Sequence, residues 1–275
     1  MAELRTHRGM EPLVLSRSLS GVCRLTFNCP DKRNAMSVDM CTTFYKALRT
    51  ANADPEIRCI VVDGAGEHFM AGGDVKSWAR LQSMEPGERG EDFRVRLKAV
   101  AALVKYLAVM RKPLIVAVRG YSVGAALGFI LAADFVLADT TAKFIFGNIR
   151  VGLVPDMGIT YYLPRVVGRR AALRLSILGS QLDAAQALDV GIIDEIVAVD
   201  ALEGAISSLT EKLVSAPATA VQETKALLQQ SLHKTLTSQF AAEVEGLAAC
   251  AAQDDFMEAV VAFAERRTPQ FRRST

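Results

Sequence analysis

The sequence is short of the side chains that most hydrolases and metalloenzymes rely on. Three histidines, His7, His68 and His233, lie far apart in 275 residues, so a His-rich metal site or a Ser-His-Asp triad has little to draw on. The five cysteines (Cys23, Cys29, Cys41, Cys59, Cys250) are odd in number, scattered and never spaced as CxxC. That pattern argues against a disulfide framework and for a reduced, cytoplasmic setting. The opening MAELRTHRGMEPL has no apolar stretch of the kind a secretory leader needs. An excess of either charge is missing too. Lys and Arg number 32 against 30 Asp and Glu, a balance of +2 that excludes a broad basic stripe and makes nucleic acid an unexpected partner. With 9 Pro, 19 Gly and 51% hydrophobic residues, the chain is neither disordered nor collagen-like. Its most apolar run, residues 121–138, is broken by Gly124, Gly128 and Asp134 and reads as core, not as a membrane span.

What is present is an alternation of strand and helix patterns. Residues 22–27 alternate as a strand, Ser37 is a plausible N-cap for a helix to about residue 53, and residues 59–62 form the short apolar run of a buried parallel strand. The logic repeats: a charge-studded helix over about 91–110, a strand over 114–118, a turn, and a helix over 125–133. Residues 135–138 and 143–146 read as two more strands. Pro155, Gly158 and Pro164 then predict a loop-rich stretch. Helical patterns recur over 201–214, 219–232 and 238–252, with a last helix ending near Arg267. The whole suggests an α/β core over 1–200 followed by a helical region over 201–275.

Two glycine-rich turns each follow a strand and open a helix: His68-Phe69-Met70-Ala71-Gly72-Gly73-Asp74-Val75-Lys76, and Gly120-Tyr121-Ser122-Val123-Gly124-Ala125-Ala126-Leu127-Gly128. Neither is a Walker A motif or a full GxGxxG fingerprint. Small residues at such turns let a ligand reach backbone N–H groups, and two facing turns could make an oxyanion hole. The glycines could equally serve only to permit tight turns.

These turns belong to a larger set of landmarks: Pro30-Asp31-Lys32-Arg33-Asn34-Ala35-Met36, the Phe69 to Lys76 turn, Lys112-Pro113 through Gly124, Ala132-Ala133-Asp134, and Phe263-Ala264-Glu265-Arg266-Arg267. In this order and spacing the chain resembles the crotonase (enoyl-CoA hydratase/isomerase) superfamily from about Val14 to Phe271. The resemblance implies an α/β fold of repeated ββα units with a helical C-terminal trimerisation region, assembled as trimers or dimers of trimers. It also implies an acyl-CoA thioester substrate whose enolate is stabilised, with no cofactor beyond the coenzyme A of the substrate and no metal. Carried over by position, the backbone N–H groups of Gly73 and Ala125 would be the oxyanion donors. The coenzyme would lie along Lys32, Arg33, Ala71, Asp74, Val75 and Lys76, with Arg266, from this or a neighbouring subunit, as a further phosphate ligand. Read without the resemblance, each of these cations is an ordinary solvated charge.

Departures from the family pattern are as informative. Family hydratases use two glutamates to position and activate water, and the matching positions here are Gly128 and Asn148. Water addition needs a base and an acid, so conventional hydration is not expected. Asp156 stands where isomerase members carry an acidic residue; a single carboxylate could move a proton from C2 to C4 of a 3-enoyl thioester through the enolate. Apolar neighbours such as Leu153, Val154, Met157 and Phe146 would raise its proton affinity. Its structural alternative is a helix cap after Pro155. Asn148 could hold water or the acyl chain but cannot act as a base, and Asp134, at a helix-to-strand junction, is assigned to satisfying backbone amides. Trp78, Tyr161 and Tyr162 either shape the acyl pocket or pack in the core, and His68 reads as a loop-surface residue. The leading expectation is an enoyl-CoA isomerase. An atypical hydratase or another enolate reaction is the second, and a non-catalytic acyl-CoA-binding subunit the third.

Overall fold

A computed structural model describes residues 14–271. Its frame is a six-stranded sheet in the order β1 (Val14–Leu19), β2 (Val22–Phe27), β3 (Cys59–Gly64), β4 (Leu114–Val118), β6 (Phe135–Asp139), β9 (Glu195–Val197). β1 pairs antiparallel with β2, and every other pair in this sheet is parallel. β3 and β4 are apolar runs because both of their faces are covered. Ile60, Val62, Val116 and Val118 point to the side of α1 (Val38–Ala53), α2 (Pro86–Leu107) and α3 (Ala126–Ala132). Their neighbours Cys59, Val61, Ile115 and Ala117 point the other way, to Leu202 and Ile206 of α7 (Leu202–Ser215). Ser37 caps α1 as expected, its Oγ accepting from the Met40 N–H at 3.1 Å.

A second sheet of three-residue strands runs β5 (Tyr121–Val123), β7 (Lys143–Ile145), β8 (Gln181–Asp183). β4 leads to β5 and then α3, and β6 leads to β7 and then α4 (Ile159–Val166), so strand, short strand and helix repeat along the chain. β5 and β7 are parallel, with Ser122 opposite Phe144, and a single parallel bridge from Met70 to Ser122 extends the pairing to the Phe69–Met70 segment. Beneath it, Phe27, Phe44, Phe69 and Phe129 form an aromatic knot; Phe27 stacks on Phe44 at 4.9 Å and meets Phe129 at 5.2 Å. Phe69 precedes the first glycine turn and Phe129 lies on α3 after the second, so the knot anchors both.

The stretch expected to be loop-rich is instead largely ordered. Gly158, at φ +80°, turns the chain into α4, and Pro164 is accommodated six residues into that helix. The guanidinium of Arg165 donates to the Tyr161 carbonyl at 2.6 Å, and α5 (Gly168–Ile177), β8, α6 (Ala184–Asp189) and β9 follow. α2 starts at Pro86, earlier than expected, because Glu85 and Glu88 close a capping box in front of a proline at N1. The C-terminal helices α8 (Ala218–Ser231), α9 (Leu236–Ala251) and α10 (Asp254–Glu265) pack on one another in series, α9 on α8 and α10 on α9. α8 is tied to the core by Lys225, whose buried ammonium donates to the Lys112 carbonyl at 2.8 Å and to Asp134 at 2.6 Å. Asp134 also accepts from the Leu114 N–H at 2.7 Å, the backbone-satisfying role expected of it, with Lys225 as an added partner.

Candidate active site

The parallel strands β5 and β7, with the Phe69–Met70 segment bridged in parallel to β5, bring the site together. From the aligned trio Met70, Ser122 and Phe144, three residues onward on each strand lead to Gly73, Ala125 and Gly147, with Asn148 next. The candidate oxyanion donors therefore emerge side by side at the carboxyl ends of parallel segments, where α/β proteins place ligands. The approach is close because Gly72 has no side chain: a Cβ there would sit 2.7 Å from the Val123 carbonyl oxygen, and its φ of +81° suits glycine alone. Among the described residues neither the Gly73 nor the Ala125 N–H donates to another main-chain group. Ala125 also stands at the N-terminus of α3, whose dipole favours negative charge there. Two free amides on adjacent turns are the equipment for holding a thioester oxygen as it gains charge.

A strap fixes the first turn. Asn34, fully buried at φ +55°, accepts from the Cys29 N–H at 2.8 Å and donates to the carbonyls of Ala65, His68 and Phe69 at 3.0, 2.9 and 3.2 Å. The Ala71 N–H donates to the Arg33 carbonyl at 2.8 Å, and the Met36 N–H to the Gly72 carbonyl at 2.6 Å. Lys32 and Arg33 thus sit on the strap directly beside Ala71, their side chains exposed and without ion-pair partners among the described residues. Val75 and Lys76 are exposed on the 3-10 segment Val75–Ser83. Asp74 caps that segment, its carboxylate accepting from the Ser77 N–H at 3.3 Å. Arg266 lies apart, at the end of α10, in a helix that packs on α9. His68 is half-buried and pinned, its Nδ1 accepting from the Tyr121 N–H at 3.4 Å with the two rings 4.9 Å apart.

Asp156 reaches the same place from the loop after β7. The Asn148 amide nitrogen donates to Asp156 Oδ1 at 3.4 Å and to the Val154 carbonyl at 3.3 Å, while its oxygen lies 3.3 Å from where a Cβ on Gly124 would sit. One amide group therefore spans from the carboxylate to the second glycine turn. Burial raises the proton affinity of Asp156; hydrogen bonds from its own backbone and from Asn148 oppose this but do not cancel it. The carboxylate's charge also acts on the buried Cys41 of α1, whose thiol is pushed up to about 12 by burial first and by the Asp156 charge second. Gly128, on α3, has no room for any side chain: a Cβ would lie 2.5 Å from both the Cβ and the carbonyl oxygen of Met157, the residue after Asp156. A glutamate at this position is sterically excluded.

The family model for enoyl-CoA hydratase/isomerase matches residues 17–274. The chain belongs to the enoyl-CoA hydratase/isomerase family. It is 33% identical to the 1,2-epoxyphenylacetyl-CoA isomerase of Escherichia coli K12, over 95% of this chain and 99% of that protein. It is 32% identical to the 2,3-dehydroadipyl-CoA hydratase of the same organism, over 96% and 99%. The crystal structure of an enoyl-CoA hydratase from Mycobacterium smegmatis superimposes with a TM-score of 0.85 at 29% identity, covering 95% of this chain and 99% of that one. An isomerase and a hydratase thus stand at nearly the same identity. The family makes this an acyl-CoA enzyme, and the geometry of this chain's own site bears on which reaction it performs.

Sequence reasoning placed Gly73, Ala125, Asn148 and Asp156 as candidates but missed what holds them. Asn34 was read only as part of a landmark; the available signal was the residue type, since asparagine tolerates the left-handed conformation it adopts here and can make four hydrogen bonds. The Gly128–Met157 contact had no local signal, because the two residues meet only through the fold.

Proposed function

We propose that the protein is an enoyl-CoA isomerase that moves a double bond from C3–C4 to C2–C3 of an acyl-CoA. The Asp156 carboxylate takes a proton from C2, the enolate oxygen rests on the Gly73 and Ala125 N–H groups, and the same carboxylate returns the proton to C4. Lys32, Arg33 and Lys76, with the backbone at Ala71 and Val75 and the capped turn at Asp74, line the path for the coenzyme, and Arg266, apart from them within one chain, serves the phosphates of a neighbouring subunit's coenzyme. The substrate's coenzyme A is the only cofactor this route needs. The observation that carries the reading is a half-buried carboxylate of raised proton affinity, linked through Asn148 to a glycine turn that bears a free amide, with Met157 filling the space a hydratase glutamate would need.

The test is conversion of a 3-enoyl-CoA to its 2-enoyl isomer by wild type and Asp156→Asn. The wild type is expected to isomerise and the variant to lose at least about a hundredfold in kcat. An asparagine variant as active as wild type would end the proposal. Rapid hydration of crotonyl-CoA by the wild type would replace it with a hydratase reading.

A further inference from the structure

Trp78 is the chain's one tryptophan, and it is not part of the core. It belongs to neither of the two hydrophobic clusters that pack the sheet, and it is only half-buried. Its indole instead lies against Gly73: a Cβ on that glycine would be 3.0 Å from Cζ2 and 3.4 Å from Cη2 of the ring. Phe93, from α2 and likewise outside the core clusters, braces the indole edge-to-face with ring centroids 5.2 Å apart and planes at 71°. A large, half-buried aromatic surface is therefore held beside the residue whose amide is assigned to the thioester oxygen. A thioester oxygen bonded to that amide at roughly 2.9 Å puts the first carbons of the acyl chain within reach of the ring.

We propose that Trp78, braced by Phe93, is a specificity-determining wall of the acyl site, and that it selects acyl groups with a flat unsaturated or aromatic segment within the first few carbons of the thioester. An indole edge rewards a flat π-system placed against it more than a puckered saturated ring of equal carbon count, because the ring quadrupoles favour offset and edge-to-face contacts. The inference rests on the acyl-CoA reading of the site but not on which proton is moved.

The experiment compares 3-phenylpropanoyl-CoA with 3-cyclohexylpropanoyl-CoA by titration calorimetry; the two thioesters have the same carbon count and differ in flatness, and neither carries a double bond to shift. Wild type is expected to bind the phenyl compound about two- to tenfold more tightly. Trp78→Leu should bring that ratio to one, Trp78→Phe should keep most of it, and Phe93→Leu should reduce it. The single indole provides a second readout, because its emission should change on binding the phenyl thioester to wild type. Equal affinities in wild type, or an undiminished ratio in Trp78→Leu, would overturn the proposal. Should Trp78→Leu not fold, the ratio in Phe93→Leu and the emission change in wild type decide. Failure of wild type to bind either thioester would bring down the acyl-CoA site as well. A ratio still dependent on Trp78 in a protein that leaves a 3-enoyl-CoA unconverted would sink only the isomerase reading.

Discussion

Gly128→Ala sets two opposing terms against each other, and the geometry decides between them. Alanine is the better helix former, so in the exposed interior of a helix the change would stabilise by about 0.5–1 kcal/mol. Here the added methyl would meet the Met157 Cβ and carbonyl oxygen at 2.5 Å, about 1 Å inside ordinary van der Waals contact. The obstacle is backbone, and it cannot swing away like the end of a flexible side chain. Met157 is buried at 3% exposure and already holds φ +51°, a left-handed conformation that costs a side-chain-bearing residue roughly 1–2 kcal/mol. Overpacking of this kind costs about 1–3 kcal/mol, which exceeds the propensity gain. Gly128→Ala is therefore expected to be less stable than wild type by about 1–2 kcal/mol, read as a lower midpoint in thermal or urea unfolding at fixed protein concentration.

The same displacement reaches the chemistry. Met157 follows Asp156 directly, so pushing it by about 1 Å moves the carboxylate, and misplacement on that scale can cost about a hundredfold in rate. Restoring both family glutamates, as Gly128→Glu with Asn148→Glu, should for this reason create no hydratase. An alanine variant as stable and as active as wild type, or a double variant that hydrates crotonyl-CoA, would show that the 152–158 loop yields and that the steric argument fails.

Asp156→Asn should lose activity yet gain stability at neutral pH. The folded carboxyl holds its proton more tightly than the unfolded one, so no penalty exists below the unfolded pKa of roughly 4, and wild-type stability is lost as pH rises from there through the raised folded value. Unfolding curves of the two proteins should coincide in acid and separate towards neutrality; separation in the opposite sense would contradict the burial of a charged group. In the same way, the acid limb of the wild-type rate profile should lie above the ordinary aspartate range. Asn34→Ala removes four hydrogen bonds at a fully buried site and should cost about 2–4 kcal/mol in unfolding experiments; a loss under about 0.5 kcal/mol would show that the strap carries no weight. Leu232, Leu236, Phe240, Leu247 and Phe263 on and between α8, α9 and α10 are each more than 60% exposed, too much apolar surface to leave in water, so light scattering should return three or six times 29.7 kDa. A monomer at micromolar concentration would contradict this.

Legibility in the sequence followed the range of the interactions involved. α1 announced both its ends because Ser37 caps it locally and Pro55 follows it. β3 and β4 were visible because burial on both faces leaves an uninterrupted apolar run. β5, β8 and β9 are three residues each; such strands exist only because partners hold them, and nothing within three residues records a partner. α4 was hidden by Pro164, a local breaker overruled by tertiary packing of Ile159 and Leu163. Asp134 was legible as a backbone-satisfying carboxylate, but its ammonium partner comes from Lys225, 91 residues away.

The site follows the same rule. The candidate oxyanion turns can be read from sequence because the proposed chemistry is main chain and needs only small residues at fixed offsets from two short parallel segments. The acid and base groups cannot be read so directly, because a carboxylate's role depends on what buries it. Asp156 is one aspartate among many until Asn148, Cys41 and the Met157–Gly128 contact surround it. A glutamate at position 128 would need the 152–158 loop to stand off from α3, and the loop packed as it is here needs glycine at 128. In this chain, placing a carboxylate at 128 therefore requires moving a backbone segment along with the side chain. One contact between α3 and the following loop thus keeps position 128 of this chain free of a carboxylate.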